Sequence, residues 1–151
     1  ALQSSIEQLN IDCRVMSSIT IDAVCEKYIK RKAERHLEKG RIIILAAGTG
    51  NPYFTTDSAA SLRAIELNAQ IMLKGTKVDG IYDKDPAKYS DAVLYKSISY
   101  SDILKKNLEV MDATAVVMCK ENNMPLKVFN ILKKGNLKKA ILSDKIGTKI
   151  G

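Results

Sequence analysis

Residues 41–57 read RIIILAAGTGNPYFTTD and join a hydrophobic strand pattern directly to a loop rich in glycine and threonine. The apolar run 42–47 has no helical period, which favours a strand buried on both faces. Gly48 and Gly50 allow the backbone to turn and to approach a ligand closely. A helical pattern begins near Asp57, and its free N–H groups and dipole would point back at the loop. The pattern indicates a phosphate site, although an ordinary βα connection capped by Thr56 or Asp57 has the same spacing.

Composition predicts one soluble domain over residues 1–151. The chain is 46% hydrophobic, and its length is enough for one core and short for two. It contains neither an apolar run approaching the roughly 18 residues of a spanning helix nor a leader pattern. We therefore expect a cytoplasmic protein without a membrane segment. The three cysteines are widely spaced, which suggests neither disulfides nor a zinc site.

Basic residues exceed acidic residues by 24 to 17, giving a formal charge of +7. Such a charge could bind nucleic acid through its phosphate backbone. Aromatic residues make up only 5% of the chain, and none is interleaved with the lysines as a stacking surface would require. We expect a solvated basic surface, and nucleic-acid binding is the least favoured function.

Helical and strand patterns alternate along the chain, which predicts an α/β fold with a mainly parallel sheet. The long segment 74–94 contains the turn signals Asp79-Gly80 and Asp85-Pro86, and loops of this length are usually functional. The predicted helices are the end of one at 2–9 and those at 26–39, 57–67, 99–105 and 112–122; the predicted strands are 11–17, 42–47, 71–73 and 126–131.

Three segments carry a resemblance to a known family. They are AGTGNPYFTTDSAA at 47–60, LKGTKVDGIYDKDPA at 73–87 and VMDA at 110–113. Together they resemble, in the same order, the bacterial-type UMP kinases of the amino acid kinase superfamily. The similarity continues through PLKVFN at 125–130 and Gly147-Thr148, so that it covers nearly the whole chain.

The resemblance implies a three-layer αβα sandwich in which UMP accepts the γ-phosphoryl group of ATP, with Mg²⁺, to give UDP for pyrimidine nucleotide biosynthesis. ATP would contact Thr76 and Asp85, with Tyr82 at the adenine. No residue is assigned as a metal ligand. The implied UMP-binding residues are Thr49, Gly50, Asn51, Pro52, Tyr53, Phe54, Thr55 and Thr56.

Lys74 and Asp57 are the best candidates for catalytic positions under this resemblance. Phosphoryl transfer depends on alignment and on compensation of charge on the transferred oxygens. Lys74 would supply positive charge, and Asp57 would organise lysines or polar groups around the phosphate. The alternatives are a helix cap for Asp57, a solvated strand-end lysine for Lys74 and simple packing for Tyr82.

The sequence lacks two loops of this family, a Lys-Leu-Ser-Gly type loop for the ATP phosphates and a Gly-Gly-Gly-Asn type loop near the transferred phosphate. We therefore expect the carboxy-terminal, larger part of an amino acid kinase-like domain whose amino-terminal part is missing, active only when whole. A non-catalytic sensor that binds uridine nucleotides is the alternative. The resemblance also implies a homohexamer controlled by UTP, while the residues alone do not decide between UMP and CMP.

Overall fold

The computed structural model describes residues 1–151, and the chain divides into two compact units. The amino-terminal unit comprises residues 1–67, and the carboxy-terminal unit comprises residues 68–151. The single domain expected from chain length stays a prediction. None of the helices is both long and apolar enough to cross a lipid bilayer.

The amino-terminal unit contains a parallel sheet of three strands with β1 at its centre, in the order β2-β1-β3. Cys13 and Met16 of β1 are fully buried and supply much of its core. The strands are β1 (Cys13–Ser17), β2 (Glu26–Lys27) and β3 (Ile42–Ala46), and the helices are α1 (Leu2–Glu7), α2 (Lys30–Glu38) and α3 (Thr56–Glu66).

Two predictions for this unit are wrong in detail. The helix expected at 26–39 begins at Lys30, because residues 26–27 pair with β1 and the Tyr28 N–H continues the ladder to the Ser17 carbonyl at 2.8 Å. The strand β3 lies at the edge of its sheet, and its residues are half-buried or exposed. Burial on both faces is therefore not observed.

The carboxy-terminal unit contains a four-stranded sheet in the order β4-β6-β7-β5. Pairs β4–β6 and β5–β7 are parallel, whereas β6–β7 is antiparallel. All five residues of β6 are buried, so this strand lies at the centre of the core. The strands are β4 (Met72–Thr76), β5 (Ser97–Ile98), β6 (Leu126–Asn130) and β7 (Thr148–Ile150), and the helices are α4 (Tyr100–Lys105), α5 (Ala113–Glu121) and α6 (Asn136–Leu142).

The predicted mainly parallel α/β arrangement is confirmed, with corrections at the carboxy-terminal end. The strand expected at 71–73 runs to Thr76, so the long loop begins after it. The elements β5, α6 and β7 lie where no element was predicted. Ser99 caps α4 as expected, accepting a hydrogen bond from the Asp102 N–H at 3.0 Å.

Candidate functional site

The loop between β3 and α3, residues 47–55, is here called the acceptor loop. Its backbone has positive φ at four positions, which are Ala47 (62°), Gly48 (57°), Gly50 (77°) and Tyr53 (67°). Glycine adopts this conformation without cost, but a bulky residue such as Tyr53 does not. Such strain in a loop is typical of a functional site. The turn expected from the two glycines is therefore present, and it also places Ala47 and Tyr53 in the left-handed region.

Ser18, the residue after β1, contacts the acceptor loop at two points. Its hydroxyl donates to the Gly48 carbonyl at 2.7 Å. A Cβ at Gly50 would lie 3.1 Å from the Ser18 carbonyl oxygen and 3.2 Å from the Ser18 Cβ. Within the loop, the Asn51 N–H donates to the Thr49 hydroxyl at 3.1 Å. The close approach explains why the second glycine is needed for space as well as for its φ angle.

The amino-terminal end of α3 follows the acceptor loop directly. Thr55 is its N-cap, because its hydroxyl accepts from the Asp57 N–H at 3.1 Å and the Ser58 N–H at 3.2 Å. Neither Thr56 nor Asp57, the caps named in the alternative of an ordinary βα connection, is therefore the N-cap. Asp57 lies in the first turn and is half-buried. Its carboxylate offsets part of the positive helix end, so an anion in the loop would depend mainly on N–H and hydroxyl donors.

Most residues of the predicted UMP set are accessible from solvent. Tyr53 is fully exposed, and Phe54 is 53% exposed. Thr49 alone of the eight is half-buried, and the others are exposed. A loop with two exposed aromatic rings beside threonine hydroxyls can offer both stacking and hydrogen-bonding groups to a ligand.

A cavity of about 550 Å³ lies in the carboxy-terminal unit and is here called the donor cavity. It brings together Thr76, Tyr82 and Asp85, the three residues expected at ATP. Small-molecule sites usually measure roughly 300–1,000 Å³, so the cavity has the size of a nucleotide site. The other lining residues are Val78, Gly80, Ile81, Asp83, Lys84, Pro86, Lys88, Lys106, Asn107, Leu108, Glu109, Val110 and Val128.

All three residues also take part in contacts that shape the local backbone. The Thr76 hydroxyl accepts from the Val78 N–H at 3.2 Å, and its proton can reach the Val78 carbonyl at 2.8 Å. One oxygen of the Asp85 carboxylate accepts from the Ala87 N–H at 2.9 Å. Tyr82 forms an isolated antiparallel bridge with Leu94. These contacts hold the segment in a defined conformation along one wall of the cavity.

A second segment of the lining, residues 106–110, was not predicted as a site. Only the VMDA segment at 110–113, at its end, gave a signal in the sequence. The Lys106 ammonium donates to the Tyr95 hydroxyl at 3.1 Å, and this hydrogen bond raises the pKa of Lys106. Lys106 is therefore a firmly cationic group at the cavity, suited to a negatively charged ligand.

Gly80 and Thr148 attach the donor-cavity segment to the sheet. The Thr148 hydroxyl accepts from the Ile81 N–H at 2.9 Å and donates to the Tyr95 carbonyl at 2.6 Å. A Cβ at Gly80 would lie 2.5 Å from that hydroxyl oxygen. Only glycine leaves room for this bridge, which gives the closing Gly147-Thr148 sequence a structural role.

Asp79, at the turn before Gly80, is bound by two donors. The Lys133 ammonium lies 2.7 Å from one carboxylate oxygen, and the Asn130 amide donates at 3.2 Å. The hydrogen bond from Lys133 lowers the pKa of Asp79. Slight burial acts in the opposite direction, and the hydrogen bond from Asn130 lowers the pKa further. Its role as a turn residue, expected from the sequence, agrees with these contacts.

Lys74 is the third residue of β4 and is half-buried, opposite Val128 of β6 in the parallel register. Lys74 therefore lies within its strand and not at the end of it. A half-buried lysine in the middle of a strand has a more restricted ammonium position than a fully exposed surface lysine.

Comparisons with known proteins identify related sequences and structures. The sequence model of the amino acid kinase family matches residues 1–130. A curated protein named uridylate kinase, from Dichelobacter nodosus (strain VCS1703A), is 55% identical over 148 residues, which are 98% of this chain and 61% of that protein. The chain thus spans about three fifths of this relative's length.

Solved structures of similar proteins share the fold. A crystal structure of UMP kinase from Bacillus anthracis has a TM-score of 0.96 and 36% identity, covering 99% of this chain and 62% of that one. The structure of UMP kinase from Ureaplasma parvum has a TM-score of 0.93 and 39% identity, covering 99% of this chain and 64% of that one. The structure of uridylate kinase from Archaeoglobus fulgidus has a TM-score of 0.66 and 28% identity, covering 82% of this chain and 58% of that one. The predicted fold class is therefore confirmed.

Proposed function

We propose, from the premise that this chain belongs to the amino acid kinase family, that the protein containing it is a UMP kinase. It transfers the γ-phosphoryl group of Mg·ATP to UMP and gives UDP and ADP. The observation that carries the proposal is the 55% identity, over nearly the whole chain, to a curated protein named uridylate kinase. The donor cavity, with the size of a nucleotide site, supports it.

We assign UMP to residues 49–56, which are most of the acceptor loop and the first residue of α3. The strained backbone, the threonine hydroxyls and the exposed rings of Tyr53 and Phe54 support this assignment. Backbone N–H groups and hydroxyls bind the acceptor phosphate, while an aromatic ring can cover the uracil. Because Asp57 offsets the helix dipole, these hydrogen bonds carry most of the phosphate affinity.

ATP occupies the donor cavity, with Thr76 and Asp85 as polar contacts and Tyr82 at the adenine. Mg²⁺ would enter with ATP as part of the substrate and would offset the charge of its phosphates. The cationic Lys106 adds favourable charge for a polyphosphate. The lining combines apolar side chains with three lysines and three carboxylates.

Lys74 and Asp57 carry the proposed catalytic roles. An oxygen of the UMP phosphate forms a bond to the γ-phosphorus as the bond from that phosphorus to the bridging oxygen of ADP breaks. The UMP phosphate is already an anionic nucleophile, so the reaction needs charge compensation more than a base. The Lys74 ammonium supplies that charge, and Asp57 orients cationic or polar groups near the transferred phosphate.

The 151 residues form the carboxy-terminal part of a larger amino acid kinase-like domain in this proposal. The chain covers only 58% to 64% of the related chains, which supports a larger domain. The remainder contributes further phosphate-binding loops, and the intact enzyme is a cytoplasmic homohexamer. Sedimentation of the intact protein tests the assembly, and a monomer would contradict this part of the proposal.

A turnover assay tests the substrate assignment. Intact protein is incubated with Mg·ATP and either UMP or CMP, and nucleoside diphosphate formation is measured. We expect UMP to react with the higher kcat/KM. Equal or better use of CMP would refute the specificity, and binding of UMP by calorimetry without any turnover would support the sensor function instead.

Substitution of Lys74 tests its catalytic role. Lys74→Ala should lower kcat about 100-fold or more, because a charge that acts in the transition state is lost, with little change in the KM for UMP. Lys77→Ala removes an exposed lysine three residues away and serves as the control. Equal kcat values for the two variants would show that Lys74 has no catalytic role.

A further inference from the structure

A network of side chains in the amino-terminal unit contacts the acceptor loop through Ser18. The Arg63 guanidinium donates through Nη2 to the Ser18 hydroxyl at 2.9 Å. The Ser18 hydroxyl in turn donates to the Gly48 carbonyl at 2.7 Å. Because the hydroxyl accepts from Arg63, its own proton is directed at the loop. The sequence offered no signal for either residue.

Ser18 is itself fixed by the sheet. Its N–H donates to the Ala46 carbonyl at 3.1 Å, which extends the β1–β3 pairing by one residue. Its carbonyl oxygen and Cβ lie against Gly50 so closely that a methyl group there would be crowded. Ser18 therefore touches the loop on both sides of Thr49, at Gly48 and at Gly50.

Arg63 is held in place by two further partners. Its guanidinium carbon lies 3.8 Å from the centre of the Tyr28 ring, and Nη1 lies 2.6 Å from Glu66 Oε2. The Tyr28 hydroxyl donates to the same carboxylate oxygen at 2.9 Å. Only 13% of the Arg63 side chain is exposed. The planar guanidinium donates to Ser18 and Glu66 while it stacks on the Tyr28 ring, which a lysine ammonium cannot do.

The charges in this network are stable around neutral pH. Burial and the hydrogen bond to Glu66 raise the pKa of Tyr28 to about 12, so its hydroxyl keeps its proton. Burial opposes ionisation of Glu66, but hydrogen bonds from Arg63 and Tyr28 outweigh it and lower the pKa of that carboxyl. Arg63 thus lies between a neutral ring and a fixed anion.

We propose that Arg63 is a positioning residue for the phosphoryl acceptor. Acting through Ser18, it fixes the backbone of residues 48–50 in the conformation that binds the acceptor phosphate. The inference rests on the proposed function, since it assigns UMP to this loop. A loop that is ordered before binding loses less conformational entropy when the ligand arrives, so the network increases UMP affinity without contacting UMP.

Steady-state kinetics of the intact protein test the proposal with Arg63→Lys, Ser18→Ala and the double variant. Each single variant should raise the KM for UMP about tenfold, while the KM for ATP stays within about twofold. The double variant should be no worse than the worse single variant, because both break one chain of hydrogen bonds. Arg31→Lys, on the exposed face of α2, is the control and should match the unaltered protein.

Two kinetic outcomes would overturn the positioning role. One is an equal rise in the KM values for UMP and ATP in Arg63→Lys, which indicates a general loss of structure. The other is a double variant whose KM for UMP rises by the product of the single effects, about 100-fold, which shows that Arg63 does not act through Ser18.

Hydrogen exchange separates this inference from the proposed function. Failure of the unaltered protein to phosphorylate UMP would refute the UMP kinase assignment alone. Amides 48–51 should exchange faster in Arg63→Lys and in Ser18→Ala than in the control, with or without turnover. Unchanged exchange in Ser18→Ala, the smaller alteration, would refute positioning of the loop even if Arg63→Lys failed to fold.

Discussion

Gly50 combines two constraints that a single methyl group would violate. Its φ of +77° is unfavourable for any other residue, and the space where a Cβ would lie is limited by Ser18. Gly40 has a similar φ of +71°, but nothing lies within 4 Å of its hypothetical Cβ. Alanine substitutions at the two glycines therefore separate the free-energy cost of the left-handed backbone, present at both, from the cost of steric crowding, present only at Gly50.

Gly50→Ala should lower the free energy of unfolding by about 2–3 kcal/mol, compared with about 1 kcal/mol for Gly40→Ala, because only Gly50 adds crowding to the left-handed strain. Urea denaturation measures both, and calorimetry should show weakened UMP binding for Gly50→Ala alone. Equal losses of stability would mean that Ser18 moves aside without cost.

Lys127 is a buried lysine whose polar partners are all near the end of α6. Its ammonium donates to the Ala140 carbonyl at 2.9 Å and the Ser143 carbonyl at 2.8 Å, and pairs with Asp144 at 3.1 Å. Only 3% of its side chain is exposed. The cation thereby satisfies carbonyls at a helix carboxy-terminal end, where positive charge is favourable.

Lys127→Met should destabilise the protein by about 2–4 kcal/mol, because the methionine fills the space but leaves buried carbonyls without a donor. Lys120→Met, on the exposed side of α5, provides the control and should change stability by less than about 0.5 kcal/mol. Thermal denaturation gives the comparison. A similar small effect at position 127 would show that water replaces the ammonium.

At the scale of elements, the start of α3 links stability to ligand binding. Thr55 caps this helix through two backbone N–H groups and also belongs to the proposed UMP site. Ser99 caps α4 in the carboxy-terminal unit and is not one of the proposed site residues. The two caps therefore differ in function while they share the same chemistry.

Thr55→Ala and Ser99→Ala should each cost about 1 kcal/mol in the free energy of unfolding, as is usual for loss of an N-cap. Only Thr55→Ala should also raise the KM for UMP, since the loop loses its anchor on the helix. Denaturation and steady-state kinetics measure the two effects. An equal rise in KM for both variants would indicate that any loss of stability weakens binding.

The whole molecule should lose stability at both ends of the pH range. The pKa of Glu66 is lowered from 4.5, and those of Asp79 and Asp144 are lowered from 3.8 by lysine hydrogen bonds. A depressed carboxyl stabilises the fold above its unfolded pKa, and that contribution disappears as the pH falls through the folded value. The Tyr28 pKa is raised from 10.0 to about 12 in the folded protein. Its contribution to stability is therefore present below pH 10 and is lost as the pH rises towards about 12.

Glu66→Gln should flatten the dependence of unfolding free energy on pH below about 4.5, where the unaltered protein loses the stabilising carboxylate. Glu121→Gln, which alters an exposed carboxyl of α5 without an ion pair, is the control. Urea titrations at a series of pH values measure the slope. An unchanged slope in Glu66→Gln would mean that Glu66 contributes nothing to acid unfolding.

The alternation of helices and strands, and the glycine and threonine loop after β3, follow from the sequence by itself. These features depend on local preferences: apolar periodicity, glycine in left-handed turns and hydroxyl or carboxylate caps. Ser99 was identified as a cap for this reason. The family could also be recognised, because its motifs are short continuous segments such as 47–60 and 73–87.

Only the tertiary structure decided which distant residues support those segments. Arg63 reaches Ser18 across 45 positions, Thr148 fixes Ile81 across 67, and residues 106–110 line the donor cavity with 76–86. The burial of Lys127 and the antiparallel pairing of β7 likewise arise from packing against neighbours far along the chain. Periodicity and local propensity carry no information about such partners, because the energy of these contacts exists only once the sheets and helices have assembled.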